Sequence, residues 1–302
     1  MQENGRKKTV IHRCRLTFIA VLITLTTACS NEQLQQVNEP QNSQVNHVNQ
    51  HNTNTSNVNS SIDSAVPAQA HTMHWSYEGE TGPEYWGALE DDYSTCKRGQ
   101  LQSPINIEHN KLTTVNDLQP LKLNYHTSKA HIVNNGHTIQ LNIDNNSNQM
   151  ILEDTKYTLN QFHFHHPSEH QIDGKHTEME LHLVHKSETG QTAVLGVPII
   201  SEQENEAFES IWNQLPQQET KEPISLEQPI DIPSLLPTDL HSIRYTGSLT
   251  TPPCSEEVSW VVLDHPIEMS QAQIAKFAEI FPDNHRPIQP LLDRSVQSER
   301  VE

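Results

Sequence analysis

Apolar and polar residues alternate along several segments between residues 131 and 264, and this pattern predicts β-strands. The segments are residues 131–144, 157–166, 178–186, 192–200 and 258–264. Alternation with a period of two between turn residues is typical of strands that bury one face. Asp173-Gly174 is a preferred hairpin turn, so we expect it to join the second and third segments as antiparallel neighbours. The pattern predicts a mostly β fold.

Two further segments have the spacing of helices. Residues 203–215 place four apolar side chains on one helical face: Phe208, Ile211, Trp212 and Leu215. Ser270 and Gln273 have the spacing of a capping box before a second apolar helix face formed by Ile274, Phe277 and Phe281. We therefore expect two helices beside the strands.

The first 28 residues have the pattern of a secretory signal. Five basic residues precede or border the apolar run that begins at Leu16, and small residues follow it. The run is shorter than the ~20 residues that span a bilayer. Residues 25–29 also resemble a bacterial lipobox, which would make Cys29 the lipidated N-terminus of an exported protein. Simple secretion without lipid remains the alternative.

Residues 29–70 differ in composition from the rest of the chain. Half of the residues between Asn31 and Ser60 are Asn or Gln, and such a segment buries too little apolar surface to offset its ordering entropy. We expect a disordered tether here and a single folded domain over residues 71–302. The formal net charge is −19 overall and −23 after residue 28, which disfavours nucleic acid as a partner.

Cys96 and Cys254 are the only cysteines after the predicted N-terminal Cys29. An even pair in an exported domain favours one disulfide. Two buried free thiols are the alternative.

Seven histidines lie between residues 160 and 186: His163, His165, His166, His170, His176, His182 and His185. Side chains alternate between the two faces of a strand, so His163 and His165 share a face that His166 does not. On the partner strand His182 shares a face with Glu180, while His185 is out of phase. Three neutral imidazoles with an open fourth position are the ligand set of a catalytic zinc.

The alternative is that these rings are merely exposed or hydrogen-bonded. The residues between them are apolar, however, which is not typical of a solvated stripe. Gln161 and Glu180 are also placed two residues before a histidine, where each can orient a ligand ring. A flexible zinc store is less consistent with histidines fixed on strands.

Longer motifs identify the domain as similar to a known family. The residues 161–165 (QFHFH), 168–170 (SEH), 180–185 (ELHLVH) and 248–253 (SLTTPP) resemble the motifs of the α-class carbonic anhydrases. The likeness extends from His74 to Pro287. Together with the N-terminal signal and the cysteine pair it resembles the bacterial exported branch, located in the periplasm with a possible lipid anchor in the outer membrane.

The resemblance implies a role for each matching residue. It implies zinc ligands at His163, His165 and His182, with Gln161, Glu180 and the carbonyl of Asn284 orienting them. Thr250 would orient the zinc-bound hydroxide and donate to Glu169, and His137 would be the proton shuttle. The substrate would contact Val184, Val194, Leu249, Thr250, Thr251 and Trp260. Tyr77, Asn135 and Gln140 would order the water on the proton path, although Gln140 departs from the asparagine that is common in the family.

The fold implied is a twisted, mainly antiparallel sheet of about ten strands with a few short helices. The reaction implied is the reversible hydration of carbon dioxide to bicarbonate and a proton, with one zinc per chain as cofactor. A catalytically inactive, carbonic-anhydrase-like binding module is the alternative, but such modules usually lose zinc histidines that this chain retains. The sequence leaves the oligomeric state open.

Overall fold

The computed structural model describes residues 74–116, 118–144 and 147–299. The predicted signal (1–28) and tether (29–70) lie outside these residues. The described strands, β1 to β17, are Asn106–Ile107, Thr113–Val115, Lys122–Asn124, Thr127–Ser128, Ala130–Asn134, Ile139–Ile143, Gln149–Leu152, Thr155–His165, Gln171–Ile172, Met179–Ser187, Thr192–Ser201, Ile224–Ser225, Ile230–Asp231, Ser242–Ser248, Glu256–Leu263, Ile267–Met269 and Gln297–Glu299.

The helices of the same residues are short. Helices α1 to α4 are Trp86–Leu89, Thr95–Arg98, Glu209–Trp212 and Gln271–Ala278, and the 3₁₀ helices are Gly79–Thr81, Asp91–Tyr93, His109–Lys111, Glu206–Phe208 and Ile232–Leu235. Among the described residues no helix is both long and apolar enough to cross a membrane.

One large twisted sheet organises the domain. Ten strands follow the order β12-β5-β6-β8-β10-β11-β15-β14-β17-β2, and β3, β7 and β16 join at its sides. Most neighbours are antiparallel, while β11 pairs in parallel with β15 and β16, and β17 pairs in parallel with β2. The predicted mostly β fold with a large, mainly antiparallel sheet is confirmed.

The pairing of β8 with β10 separates the histidines from the apolar residues. Leu181 lies opposite Phe164 and Leu183 opposite Phe162, and all four are buried in the larger core. His182 lies opposite His163 on the other face of the same strands. The alternation seen in the sequence thus places imidazoles on one face and the core on the other.

The expected connection between these strands is partly wrong. Asp173 and Gly174 do form a tight turn with positive φ angles, but it closes the short bridge between Ile172 and Lys175 rather than joining β8 to β10 directly. The longer connection adds β9, which pairs with β1. Periodicity did not reveal this two-residue strand.

The expected helix at 203–215 is shorter than predicted. Asn205 caps a 3₁₀ turn that continues into α3, which ends at Trp212. Its apolar face is buried as expected. The predicted capping box is confirmed, because Ser270 and Gln273 satisfy each other's backbone N–H groups at the start of α4.

Cys96 and Cys254 form a disulfide between residues 158 positions apart, as the cysteine count predicted. The bond joins α2 to the loop that follows β14. Buried side chains of Trp86 and the two cysteines form a small core of their own there.

Candidate metal centre

His163, His165 and His182 converge on one point of the sheet. Their ligand nitrogens lie within 4.8 Å of one another. His165 and His182 are almost fully buried, whereas His163 is only partly so, which leaves the group open on one side. This is the arrangement that three of four tetrahedral zinc ligands require.

Each ring has one nitrogen fixed by a neighbour. His163 Nδ1 donates to Gln161 Oε1 at 2.8 Å, His165 Nδ1 to the Asn284 carbonyl at 2.7 Å, and His182 Nε2 to Glu180 Oε1 at 2.9 Å. The lone pairs are therefore on the opposite nitrogens, which are Nε2 of His163 and His165 and Nδ1 of His182. His165 Nε2 is buried and has no hydrogen-bond partner among the residues that the structure describes. A buried, unpartnered acceptor in this position is consistent with a metal ligand, so the residues present suit a zinc ion.

The rings are held in the neutral state that binds metals. Burial lowers the pKa of His163 well below its usual value, and the neighbouring His165 and His182 lower it further. Burial also lowers the pKa of His165 to about 4 and lowers that of His182. Neutral imidazole is the ligand form, so a metal would not have to displace protons at neutral pH.

Glu180 connects the site to a chain of buried polar groups. Its Oε1 also accepts from His170 Nδ1 at 2.7 Å, and His170 Nε2 lies 2.8 Å from Tyr245 Oη. Tyr245 Oη in turn lies 2.8 Å from Ser103 Oγ. Burial alone would raise the pKa of Glu180, but His170 and His182 lower it well below its usual value.

Gly196 makes room for this carboxylate. It lies opposite His182 on β11, and a Cβ atom at this position would come within 2.9 Å of Glu180 Oε1. A side chain here would displace the group that orients His182.

Glu169 is fully buried beside the histidines. Its Oε1 accepts the backbone N–H of Arg286 at 2.8 Å, while its Oε2 lies 3.8 Å from His182 Nδ1 and completes no hydrogen bond. Burial raises the pKa of Glu169, and His182, the nearby Thr250 hydroxyl and the Arg286 N–H act in the opposite direction. Thr250 is buried next to this carboxyl group, so the two residues that the sequence linked do lie together.

Apolar side chains form a wall beside His182. Val184 lies opposite Val194, and Val194 lies beside Trp260 on the neighbouring strand. The rings of His182 and Trp260 are 4.9 Å apart. Leu249 packs against the same cluster, while Thr251 is half-buried and its carbonyl accepts from Cys254 N at 2.8 Å.

His137 lies in a different environment, among the aromatic rings of the domain's first residues. Its ring is stacked on Trp75 at 3.6 Å and is 4.8 Å from His74 and 6.5 Å from Tyr77. Burial, with a smaller contribution from His74, lowers its pKa to about 4. In this stacked position the ring is a weak proton acceptor at neutral pH.

The other predicted proton-path residues have protein partners. Asn135 Oδ1 accepts the backbone N–H groups of His137 and Thr138, which shapes the turn that holds His137. Gln140 pairs with His163 in the sheet and donates to Asn142 Oδ1 at 2.7 Å. Burial raises the pKa of Tyr77 well above its usual value, with further contributions from Glu169 and Asp283. Their role in ordering water stays a prediction.

The remaining histidines of the cluster lie outside the ligand set. His166 Nδ1 contacts the Pro282 carbonyl, and His176 Nδ1 the Ser168 carbonyl. His185 follows a β-bulge and contacts Tyr125 Oη at 2.6 Å on the opposite face of the sheet. A second group has the spacing of metal ligands and consists of His170, Glu180 and His182. Its atoms are joined by the hydrogen bonds of Glu180 described above.

Comparison with known proteins identifies the family. The family model of the eukaryotic-type carbonic anhydrases matches residues 81–300. The chain belongs to the α-carbonic anhydrase family. Its curated relatives include carbonic anhydrases of Nostoc sp., 44% identical over 76% of this chain and 88% of the relative, and of Klebsiella pneumoniae, 44% identical over 77% and 94%.

Solved structures share the fold of this chain. The enzyme of Thermovibrio ammonificans in complex with the inhibitor sulfanilamide is 41% identical, with a TM-score of 0.72 over 74% of this chain and 98% of that chain. Dioscorin complexed with ascorbate, at 30% identity, has a TM-score of 0.71 over 74% and 97%. This chain is accordingly a carbonic anhydrase, and enzymes of its family act on carbon dioxide and bicarbonate with zinc.

Sequence reasoning missed several residues that support the site. Tyr245 and Ser103 extend the chain from Glu180, and Arg286 binds both Glu169 and the Cys96 carbonyl. These residues come from segments far apart in the chain, so local spacing could not bring them together. Arg286 and Ser103 lie in two further stretches that resemble the family, 284–287 (NHRP) and 102–107 (QSPINI), and these motifs were the available signal.

Proposed function

We propose that this carbonic anhydrase hydrates carbon dioxide reversibly at one zinc ion held by His163 Nε2, His165 Nε2 and His182 Nδ1. The observation that carries the proposal is the buried, unpartnered Nε2 of His165 among three rings whose other nitrogens are occupied. When bound, zinc supplies a Lewis acid that lowers the pKa of water toward neutrality, a property for which carbonic anhydrases are the standard example.

The residues around the metal position would orient the reaction. An ionised Glu169 only accepts hydrogen bonds, so Thr250 must donate its hydroxyl proton to it and leave its oxygen as an acceptor for the attacking water. Val184, Val194, Leu249 and Trp260 exclude water from the side on which carbon dioxide would approach. The N–H of Thr250 is available to bind a substrate oxygen.

The proton released in each turnover would leave through His137. An imidazole suits this transfer because its unperturbed pKa is near neutrality. Burial of the ring in the stacked position, with a smaller contribution from His74, lowers the pKa of His137 to about 4, so the ring must leave this position to accept the proton. We therefore propose a ring that alternates between the stacked position and the solvated cleft.

A stopped-flow assay of carbon dioxide hydration tests the function. We expect one zinc per chain by metal analysis, activity that is lost on chelation, and recovery when zinc is added back. Tight zinc binding without hydration activity would instead support an inactive binding module, which the intact histidines, Thr250 and Glu169 do not favour. Several weakly bound zinc ions per chain would support a store.

We also propose that the protein is exported and anchored by lipid on Cys29. The N-terminal sequence pattern supports this, and a disulfide is typical of oxidising compartments. The intact mass of membrane-extracted protein would show a lipidated N-terminus at Cys29. A soluble form that starts elsewhere and is unaffected by Cys29→Ala would contradict the anchor.

A further inference from the structure

A cavity of about 370 Å³ lies beside the central residues of β14 and β15, with further walls from β7, β8 and β17. Arg244 on β14 lies opposite Val261 on β15 and Gln297 on β17. Val261 packs into the larger core together with Phe162 and Phe164, whereas the zinc-site histidines point to the other face of the sheet. Tyr245 and Trp260 also line the cavity, and their rings adjoin His170 and His182 on the metal-centre side, so these two residues lie between the cavity and the candidate active site.

Arg244 brings a positive charge with free donors to this cavity. Its side chain is only 8% exposed, yet it uses few of its five N–H groups. Its Nε donates to Ser242 Oγ at 3.2 Å and its Nη2 to the Gln119 carbonyl at 2.8 Å. Within the part of the chain that the structure describes, nothing accepts from its Nη1.

The charge of Arg244 is also unpaired among the described residues. Glu299 and Glu153 favour its charged form only through space, and burial lowers its pKa. A desolvated guanidinium with free donors is the group that proteins use to bind carboxylate or phosphate oxygens. An oxyanion in the cavity would supply the partner that the described residues do not.

The remaining walls of the cavity are rich in neutral polar groups. Hydroxyl groups come from Thr246, Ser259 and Ser295, and amide groups from Gln191 and Gln297. Hydroxyl and amide groups both donate and accept hydrogen bonds, so they match a ligand that carries hydroxyls of its own. The cavity is within the size range of small-molecule sites and is larger than a simple inorganic anion needs.

We propose that this cavity binds a small hydroxylated carboxylate, such as a sugar acid, with its carboxylate on Arg244 and its hydroxyl groups on the serine, threonine and glutamine side chains. Glu153 lies at the edge of the cavity with its carboxylate exposed, and it opposes any bound anion.

Titration of the ¹⁵N-labelled mature protein with sodium gluconate tests the proposal. We expect saturable shifts of the Thr246, Gln191 and Gln297 backbone amides with a Kd on the order of 1 mM. Sodium phosphate and sodium chloride are the comparison probes, and both should bind at least about tenfold more weakly. Because the amides report the location, binding of an anion at the metal centre is not mistaken for binding here.

Two variants decide the role of charge. Arg244→Gln should weaken gluconate binding by about tenfold or more, and Glu153→Gln should strengthen it about two- to fivefold, because a neighbouring like charge is removed. Glu188→Gln, in an exposed turn outside the cavity, is the matched control and should leave the Kd unchanged.

The proposal is overturned if gluconate causes no saturable shift up to about 100 mM, or if folded Arg244→Gln binds as well as the native protein. Equal affinity for gluconate and phosphate would overturn the recognition of hydroxyl groups. If Arg244→Gln does not fold, Glu153→Gln carries the decision, and an unchanged Kd in that variant contradicts an anion beside Arg244.

Discussion

The three histidines of the metal centre on β8 and β10 differ from His137 in what their ring nitrogens contact. Each of the three rings on the strands has one nitrogen hydrogen-bonded at 2.7–2.9 Å to a fixed neighbour. The ring of His137 makes no hydrogen bond among the described residues and is held by stacking on Trp75 and His74.

This difference matches two chemical requirements. A metal ligand needs one orientation, and second partners that fix the ring are commonly as important as the ligand itself. A proton carrier needs two positions, one near the donor and one near solvent, so a directional hydrogen bond would hold it in the wrong place. The imidazole ring is thus fixed in one orientation at the metal centre, whereas the ring of His137 can change its orientation.

Removal of a rigid histidine should have the largest effect. His165→Ala should lose zinc and reduce hydration to the uncatalysed background, because the buried nitrogen that completes the ligand set is gone. Metal analysis and stopped-flow kinetics measure both quantities. His176→Ala removes an exposed histidine whose ring contacts Ser168, Gln171 and His285 but no metal ligand, and this variant should keep both. Retained zinc and activity in His165→Ala would rule out the proposed ligand set.

The next largest effect should come from Thr250. Thr250→Ala should keep one zinc per chain but lose on the order of 10²-fold in kcat/KM, the scale of one oriented hydrogen bond to a reacting group. Thr250→Ser, which keeps the hydroxyl, should recover much of the activity. Loss of zinc in the alanine variant would show that Thr250 supports the metal rather than the water.

His137 should affect turnover and not the hydration step itself. His137→Ala should lower kcat severalfold at low buffer concentration and leave kcat/KM unchanged, because proton release follows the chemical step. Added imidazole should restore the rate. A parallel fall in kcat/KM would contradict a shuttle role.

The stack on Trp75 gives a related pH prediction. Trp75→Leu exposes the ring and should raise the pKa of His137 from about 4 toward the usual ~6.5. An NMR titration of the His137 ring protons measures this directly. An unchanged pKa would show that the stack is not what lowers it.

We expect a small effect on stability at His109, whose ring bridges Asp173, in the turn between β8 and β10, and Asp264, just after β15. Its ring contacts Asp264 at 2.8 Å and Asp173 at 2.7 Å, and these hydrogen bonds raise its pKa. When the pKa of a histidine is higher in the folded state, the protein is stabilised at pH values below the pKa of the unfolded state, ~6.5. This stabilisation is lost as the pH rises through the pKa of the folded state.

His109→Ala should therefore reduce the free energy of unfolding more at pH 5.5 than at pH 9. The loss should be no more than ~1 kcal/mol, because the ring is exposed to solvent screening. Urea unfolding at both pH values measures it, with His265→Ala, which faces one carboxylate at 3.4 Å, as the control. A larger loss at pH 9 would contradict the sign.

Local sequence patterns predicted the strands that carry the candidate zinc site, because the alternation of apolar residues and the spacing of the histidines both repeat every two residues. Alternation put Phe162, His163, Phe164 and His165 on alternating faces, and the structure has the same order. The short helices were less predictable, since α3 depends on a cap at Asn205 and on burial against the sheet rather than on its own propensity.

The supporting residues could not be predicted from spacing. Arg286 binds Glu169 and Cys96, from which it is separated by more than a hundred positions, and the chain from Glu180 to Ser103 connects three separate segments. Position in a family motif indicated that such residues matter, but only the fold shows which atoms they bind.

The disulfide has a consequence for the unfolded chain. The loop between Cys96 and Cys254 contains His163, His165 and His182 together with Glu169 and Thr250. In an oxidised but denatured molecule Thr250, only four residues from Cys254, stays within one closed loop with Glu169, which raises the effective concentration of these two distant groups toward one another. The cross-link therefore favours the return of the Thr250 loop to Glu169 after thermal or chemical denaturation, and the oxidised protein should regain hydration activity faster than the reduced protein.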